Sequence, residues 1–520
     1  MEQSDWQYKD IHTILREGAE QHGGKVYIES PDQVKNITYE QTYAWCNRIA
    51  NLLKQQGIKS SDKITLIGEN SIETLLVYFG VLNYGAIISS INVEESKENI
   101  YNLLNFIKPR IVFHNKKLTF DHEAYKADLW IPYADFDIES RQRNELFSLL
   151  QQHSPIFDDH IGSREDIFAI TFTSGTTATP KAVVTSREPF LYLVRQTIDR
   201  LRITERDVIL DYRGYNWQST LLISILSSLL AGATLVFARK FSRSRFPSWL
   251  KEYNITIAIG VPTVINILVQ EPVPLHKKDV PFLRFMTSSS APLMVQNQQE
   301  FEKRYGILLN QLAGGQEIGL LGMGDPEDLK HPEKRKIASV GKPLRNSEVL
   351  ILDENGNRCK AGEIGEMVVR CKSTALGYLQ PNGEISRFPE DGVPTGDLGY
   401  LDSDGYIYIT GRKKELIIRG GVNISPMEIT EWLIKHPAVQ EAATFGVPDK
   451  VRGEEVASFI VPKAGHKVNE QDIINHCKKK LPDFKIPKTV YFIEQIPKTG
   501  RGKVAKKDLV KIWEEIRQKV

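Results

Sequence analysis

Between about residue 60 and residue 290, short apolar runs alternate with stretches of helical length. "KITLIG" (63–68) precedes "NSIETLLVYFGVLNYGA", where Asn70 or Ser71 is placed to cap a helix and Ile72, Leu75, Phe79 and Leu82 share one face. "RIVFH", "IFAITFT", "TLVFA" and "TIAIGVP" read as further strands. A parallel strand pair needs a crossover, normally a helix, so this alternation restricts the chain to a largely parallel, helix-covered α/β architecture. The most apolar segment, "LLISILSSLLAGATLVFA" (221–238), is interrupted by serines and glycines. It reads as a buried helix ending near Gly232 followed by a strand, not as a membrane span.

Past about residue 340 the texture changes. "EVLILD", "EMVVRC" and "GYIYITG" are bounded by turns, including Asn355-Gly356 and Asp404-Gly405, dipeptides that favour hairpins. An antiparallel, barrel-like part is expected there. After Gly411 comes the charged link "RKKELIIRGG" and then a run of about a hundred residues, enough for a small α+β domain. It holds helices near 428–434 and 471–480, the second capped by Asn469, and strands at "AATFGV", "VASFIV" and "TVYFIE". Residues 416–520 carry about six excess positive charges, which leaves the larger part mildly acidic.

A chain of 520 residues exceeds what one core organises, so at least two domains are expected. A formal charge of +2 argues for neither a nucleic-acid binder nor a highly acidic protein, and no nucleic-acid partner is expected. The four cysteines (Cys46, Cys359, Cys371, Cys477) form no C-x-x-C pair, which suits a reducing compartment and supplies no zinc site. The first residues show no basic stretch leading into an apolar one, and a soluble cytoplasmic protein is expected.

The stretch "TFTSGTTATPKAVVTS" (171–186) is dense in hydroxyls around one Gly and one Lys. It is not a P-loop, because Pro180 precedes Lys181 and Ala182 follows it. On composition alone it reads equally as a surface Ser/Thr turn. Its place directly after a candidate strand favours a ligand site. Hydroxyls of Thr173, Ser174, Thr176 and Thr177, backbone N–H groups freed by Gly175, and the Lys181 charge suit phosphate oxygens.

With two later segments the chain resembles the adenylate-forming superfamily of acyl- and aryl-CoA synthetases and related AMP-binding enzymes. "TSGTTATPKA" (173–182) is similar to the family's T-S-G-T-T-G-x-P-K-G loop. "TGDLGYLDSDGYIYITGRKKELIIRGGVNISPMEI" (395–429) and "PKTGRGKVAKKDL" (497–509) match its two later signatures, in the family's order. The resemblance spans nearly the whole chain. It implies a large adenylate-forming domain over 1–411, a hinge at 412–415 and a mobile domain over 416–520.

The implied reaction has two halves. A carboxylate attacks the α-phosphate of ATP and expels pyrophosphate; a thiol, usually of coenzyme A, then takes the acyl group and expels AMP. The resemblance assigns Thr173 to Lys181 to the pyrophosphate and Glu317 to Mg²⁺, a hard ion suited to a carboxylate. It assigns Asp397 to the ribose hydroxyls, Arg412 to the nucleotide, Ala291, Pro292, Ala313, Gly314 and Gln316 to the adenylate, and Lys503 to the bridge between carboxylate and α-phosphate. It places Lys414 at the hinge and Gly420 and Gly421 along the coenzyme A tunnel. Taken alone, Asp397 reads as a turn residue and Lys503 as part of a solvated charge run.

The chain departs from the family at several positions. Ala178 and Ala182 replace glycines, and would be strained at a positive φ. Ala313 and Gln316 replace the aromatic and Thr of Y-G-x-T-E, a lost stack worth roughly 1–2 kcal/mol. "SSSAPL" (288–293) replaces G-G-A-P-L. The acid is expected against Tyr215, Asn216 and Trp217, Val261 and Gly315, with both aromatics equally readable as core. An acid with an aromatic or short-to-medium apolar body is expected. A stand-alone enzyme loading a carrier protein, and a non-catalytic nucleotide-binding regulator, are the competing readings.

Overall fold

The computed structural model describes residues 6–134, 145–173, 181–498 and 504–518. The strand–helix alternation builds two eight-stranded sheets. The first runs Gly319–Met323, Leu309–Gly315, Phe285–Ser288, Ile257–Ala258, Val208–Asp211, Thr234–Phe237, Val26–Ser30, Lys35–Thr38. Its six inner strands are parallel and each edge strand is antiparallel. The second runs Ile385–Arg387, Gly377–Leu379, Ala182–Ser186, Ile167–Phe172, Ile87–Asn92, Lys63–Gly68, Ile111–Asn115, Leu129–Tyr133. Five of these strands are parallel, and the first three are antiparallel additions at one edge.

One apolar core joins both sheets through the helices packed against them. The helix Ile72–Tyr84 is buried along its entire length, as its near-continuous apolar sequence requires. Ser71 caps it, its Oγ accepting the Thr74 N–H, and Gly85 ends it at φ 106°. The segment after residue 217 is helical to Ala231 with a π-helical turn over Leu221–Ile225, and Gly232 closes it in the left-handed region before the strand Thr234–Phe237.

Strands Ser347–Leu352, Gly365–Cys371, Val393–Leu401 and Ile407–Arg412 form a four-stranded antiparallel sheet in that order. Among the described residues no ladder closes it into the barrel expected from sequence. The strands Gly377–Leu379 and Ile385–Arg387 leave this region and extend the second large sheet. From Ile417 onward a separate five-stranded sheet, covered by helices Pro426–Ile434 and Glu470–Lys478, builds its own core around Ile429, Leu433, Val456 and Ile460. Asn469 forms a reciprocal capping box with Asp472. No helix of the described residues is long and apolar enough to cross a membrane.

Candidate active site

The hydroxyl-rich loop is the tip of a hairpin. Ile167–Phe172 and Ala182–Ser186 pair antiparallel up to Phe172 opposite Ala182. The β-branched run Val183-Val184-Thr185 suits a strand with both faces covered. The loop base is tied twice: the Thr173 N–H donates to the Lys181 carbonyl at 2.9 Å, and the Lys181 N–H donates to Thr173 Oγ1 at 3.2 Å. Ser174, Gly175, Thr176, Thr177 and Ala178 lie outside the described residues. Ala182 lies in the strand with no positive φ, so its replacement of a glycine brings no strain.

Lys181 and Glu317, 136 residues apart in sequence, are joined by a tyrosine that the sequence reading missed. Tyr378 stands opposite Val183 in the neighbouring strand. Its hydroxyl donates to Glu317 Oε1 at 3.0 Å, and Lys181 Nζ sits 4.6 Å from its ring centroid. Burial, reinforced by the Glu317 charge, pushes the Tyr378 hydroxyl well above its ordinary value. Tyr378 therefore stays a donor throughout the neutral range. One Glu317 oxygen is thus engaged, and the other is the group that would meet a cation. A single carboxylate fits Mg²⁺, which is held by one or two carboxylates together with phosphates and water. No cluster of three or more His, Cys, Asp or Glu is present among the described residues.

Glu317 and Gln316 sit in the turn between Leu309–Gly315 and Gly319–Met323. Gly314 is obligatory there, since a Cβ would stand 2.1 Å from the Gly319 carbonyl oxygen. Gln316 Nε2 donates to the Phe172 carbonyl at 3.2 Å, tying the first sheet to the root of the loop on the second. Its Oε1 is buried and has no hydrogen-bond partner among the described residues. Ala313 is half-buried against the core of the four-stranded sheet.

Asp397 and Arg412 are directly paired across adjacent strands. Arg412 Nε lies 2.9 Å from Asp397 Oδ1, and the Asp397 N–H donates to Thr395 Oγ1 at 3.0 Å. Gly396 at φ 71° turns the backbone that presents the carboxylate.

The segments expected around the acid leave the carboxyl ends of the parallel strands Val208–Asp211 and Ile257–Ala258, with Gly315 at the end of Leu309–Gly315 in the same sheet. The Gly260 N–H donates to Thr287 Oγ1 at 3.1 Å, and a Cβ at Gly260 would stand 2.4 Å from the Thr287 carbonyl oxygen. Val261 follows as the cap residue of helix Pro262–Gln270. Tyr215 belongs to the core: it is 1% exposed, its hydroxyl donates to the Leu66 carbonyl at 3.0 Å and accepts from the Gly68 N–H at 3.1 Å. The expectation that it forms a flat wall for the acid is corrected accordingly. Asn216, Trp217 and Gly315 are half-buried, as is Ala291, whereas Pro292 is exposed. Ser290, standing where the family has glycine, occupies the left-handed region at φ 76°.

Sequence reasoning also missed a buried ion pair in this loop. Arg213 and Asp211 lie 2.7 Å apart with side chains 1% and 0% exposed. The visible signal was an acid and a base two residues apart at the end of an apolar strand, "VILDYR".

The remaining expected residues lie in the C-terminal part. Gly420 and Gly421, at φ 58° and 83°, form the tip of the hairpin joining Ile417–Arg419 to Val422–Ile424, with open space around both. Lys414 is exposed in a short turn after Arg412. Lys503 lies outside the described residues. Its loop is closed at the base by the bridge between Lys498 and Val504. Lys498 pairs with Glu441 at 2.9 Å, and Glu441 accepts from Gln270 Nε2 at 2.9 Å, at the end of helix Pro262–Gln270.

The model of the AMP-binding enzyme family matches residues 15–379, and that of the AMP-binding enzyme C-terminal domain matches residues 428–503. An oxalate–CoA ligase of Arabidopsis thaliana is 30% identical over 91% of this chain and 92% of its own. A sulfoacetate–CoA ligase of Cupriavidus necator is 29% identical over 97% of this chain and 98% of its own. The crystal structure of ATP-bound MatB from Rhodopseudomonas palustris superposes with a TM-score of 0.87 at 25% identity, covering 98% of this chain and all of that one.

Proposed function

Because the chain belongs to the AMP-binding enzyme family, we propose that it is an AMP-forming acid–thiol ligase. It activates a small carboxylic acid with ATP and transfers the acyl group to coenzyme A, giving acyl-CoA, AMP and pyrophosphate. The observation that carries this reading is the line Lys181–Tyr378–Glu317, which gathers a phosphate-binding cation and a metal-binding carboxylate from two sheets.

In the first half-reaction an oxygen of the acid attacks the α-phosphorus and the bond to pyrophosphate breaks. Charge accumulates on the leaving phosphates, where Lys181 and the hydroxyls of Thr173, Ser174, Thr176 and Thr177 stabilise it, with Gly175 letting the backbone approach. Glu317 would hold Mg²⁺, which supplies charge neutralisation on those phosphates when bound. Asp397 receives the ribose hydroxyls and Arg412, already its partner, contacts the nucleotide. Gln316 offers its oxygen to the adenylate, alongside Ala313, Gly314, Ala291 and Pro292. Lys503 bridges the carboxylate and the α-phosphate.

In the second half-reaction the thiol sulfur attacks the acyl carbon and AMP leaves. For this step the domain over 416–520 rotates about Lys414, within a hinge at 412–415, against the domain over 1–411. Lys503 withdraws, and the hairpin tip at Gly420 and Gly421 lines the path of the pantetheine arm. The exposure of Ile418 and Val422 on that hairpin, 54% and 44%, supports a surface that is covered in only one of the two arrangements. The four free cysteines suit a cytoplasmic setting.

The relatives named above act on oxalate and sulfoacetate, small acids without an ammonium group, which supports a small acid here. Purified protein is incubated with ATP, Mg²⁺ and a panel of acids, and pyrophosphate and AMP are measured with and without coenzyme A. Acid-dependent release accelerated by coenzyme A, with acyl-CoA formed, is the expected result. Release indifferent to coenzyme A would transfer the second half-reaction to a carrier protein. ATP binding without release for any acid would reject the ligase reading in favour of a regulator.

A further inference from the structure

The buried pair Arg213–Asp211 uses every guanidinium hydrogen. Nε donates to both Asp211 oxygens, at 3.1 and 3.2 Å, and Nη2 donates to Asp211 Oδ2 at 2.7 Å and to the Ser219 carbonyl at 3.2 Å. Nη1 donates to Ser219 Oγ at 3.1 Å and to Ser289 Oγ at 3.4 Å. Arg213 therefore has no donor left for a ligand, and Asp211 cancels its charge. Its effect falls on the two serines. A hydroxyl that accepts from a guanidinium keeps its own hydrogen to donate, and Ser289 Oγ also lies 3.5 Å from Ser290 Oγ, at the outer limit of a hydrogen bond. Ser219 is half-buried, two residues before the π-helical turn at Leu221–Ile225, and Ser289 directly precedes the strained Ser290. Both features are of the kind found at ligand sites. The two hydroxyls thus follow two parallel strands, Val208–Asp211 and Phe285–Ser288, that flank Ile257–Ala258, and both accept from one buried guanidinium.

Resting on the ligase reading above, we propose that Ser219 and Ser289 form a donor pair selecting acids whose far end carries an oxygen acceptor. A second carboxylate, a sulfonate or a carbonyl fits such a donor pair. Ser289 is two residues from Ala291, which the resemblance assigns to the adenylate, a backbone reach of about 7 Å. This replaces the expectation of an aromatic or apolar body.

The test compares oxalate, malonate and sulfoacetate with propionate, butyrate and phenylacetate in acid-dependent pyrophosphate release, for wild type, Ser219→Ala, Ser289→Ala and Ser289→Thr. We expect wild type to favour the first group. We expect each alanine variant to raise KM for the favoured acid by about tenfold, with KM for ATP unchanged, a lowered melting temperature from the guanidinium hydrogen left unpaired, and Ser289→Thr retaining the preference. A wild-type preference for the apolar acids would overturn the inference while leaving the ligase reading intact. So would alanine variants with unaltered KM for the favoured acid. Release with no acid at all would overturn the ligase reading and the inference with it.

Discussion

Tyr378 shows how much of this site depends on single atoms. Its hydroxyl fixes one Glu317 oxygen while its ring lies beneath Lys181, so its two functions can be separated by substitution. Tyr378→Phe keeps the ring and removes a hydrogen bond to a charged group, worth about 1.5–3 kcal/mol. The expected outcome is a requirement for roughly tenfold more Mg²⁺ at half-maximal pyrophosphate release. The apparent affinity for metal-free ATP, measured by equilibrium binding, stays unchanged. Ser290 yields the opposite kind of prediction. A non-glycine residue at φ 76° carries strain of order 1–2 kcal/mol, so Ser290→Gly should stabilise the protein by about 0.5–1 kcal/mol in denaturant titration once glycine's extra chain entropy is deducted. Both residues were difficult to read beforehand. Ser290 stands in a recognisable motif, but its φ is not written in the sequence. Tyr378 acquires its role only when a strand some 190 residues later joins the hairpin that carries Lys181, and no local spacing records such a contact.

At the level of elements, the strands and caps were the most legible. Lys63–Gly68, the Ser71 cap, the helix stop at Gly232 and the Asn469 cap all follow from short-range rules and fall where those rules put them. Harder to see was that "AVVTS" returns antiparallel beside Ile167–Phe172, because five apolar and hydroxyl residues have no alternation that distinguishes a return strand. The loop ends here carry testable consequences. Gly260→Ala drives a Cβ to 2.4 Å from the Thr287 carbonyl oxygen, and an overpacking cost of about 1–3 kcal/mol is expected, with loss of acid turnover. A second element-level prediction concerns the first helix, Ile11–His22. His160 Nδ1 donates to the Asn83 carbonyl at 2.8 Å, and Nε2 must accept from Arg187 Nη1 at 3.3 Å, beside Asp10 and His12. Burial, first among the causes, and the neighbouring Arg187 outweigh Asp10 and the Asn83 bond and lower its pKa from the ordinary 6.5. The unfolded chain then binds more protons than the native one. The stabilisation is complete above pH 6.5 and declines as the pH falls through the depressed native value. Unfolding midpoints should therefore decrease on acidification below pH 6.5, and His160→Gln should flatten that slope.

The whole molecule divides its chemistry between parts that must meet and separate. If Lys503 serves only the first half-reaction, Lys503→Ala should lower acid-dependent pyrophosphate release by at least about a hundredfold. Thioester formation from a preformed acyl-adenylate should stay near the wild-type rate. Equal losses in both assays would contradict the division of labour. The large part also has a timetable. Val26–Ser30 waits for Thr234–Phe237, and Ala182–Ser186 waits for Gly377–Leu379. During synthesis the loop-bearing hairpin is complete long before its neighbouring strand exists, and for that interval it ends in a bare, hydrogen-bond-hungry edge. Tyr378 arrives on the strand that covers this edge. The growing chain is thus most prone to self-association while the second sheet is unfinished. The same strand that ends this vulnerability delivers the residue linking Lys181 to Glu317, so no nascent chain gains that link before its sheet edge is covered.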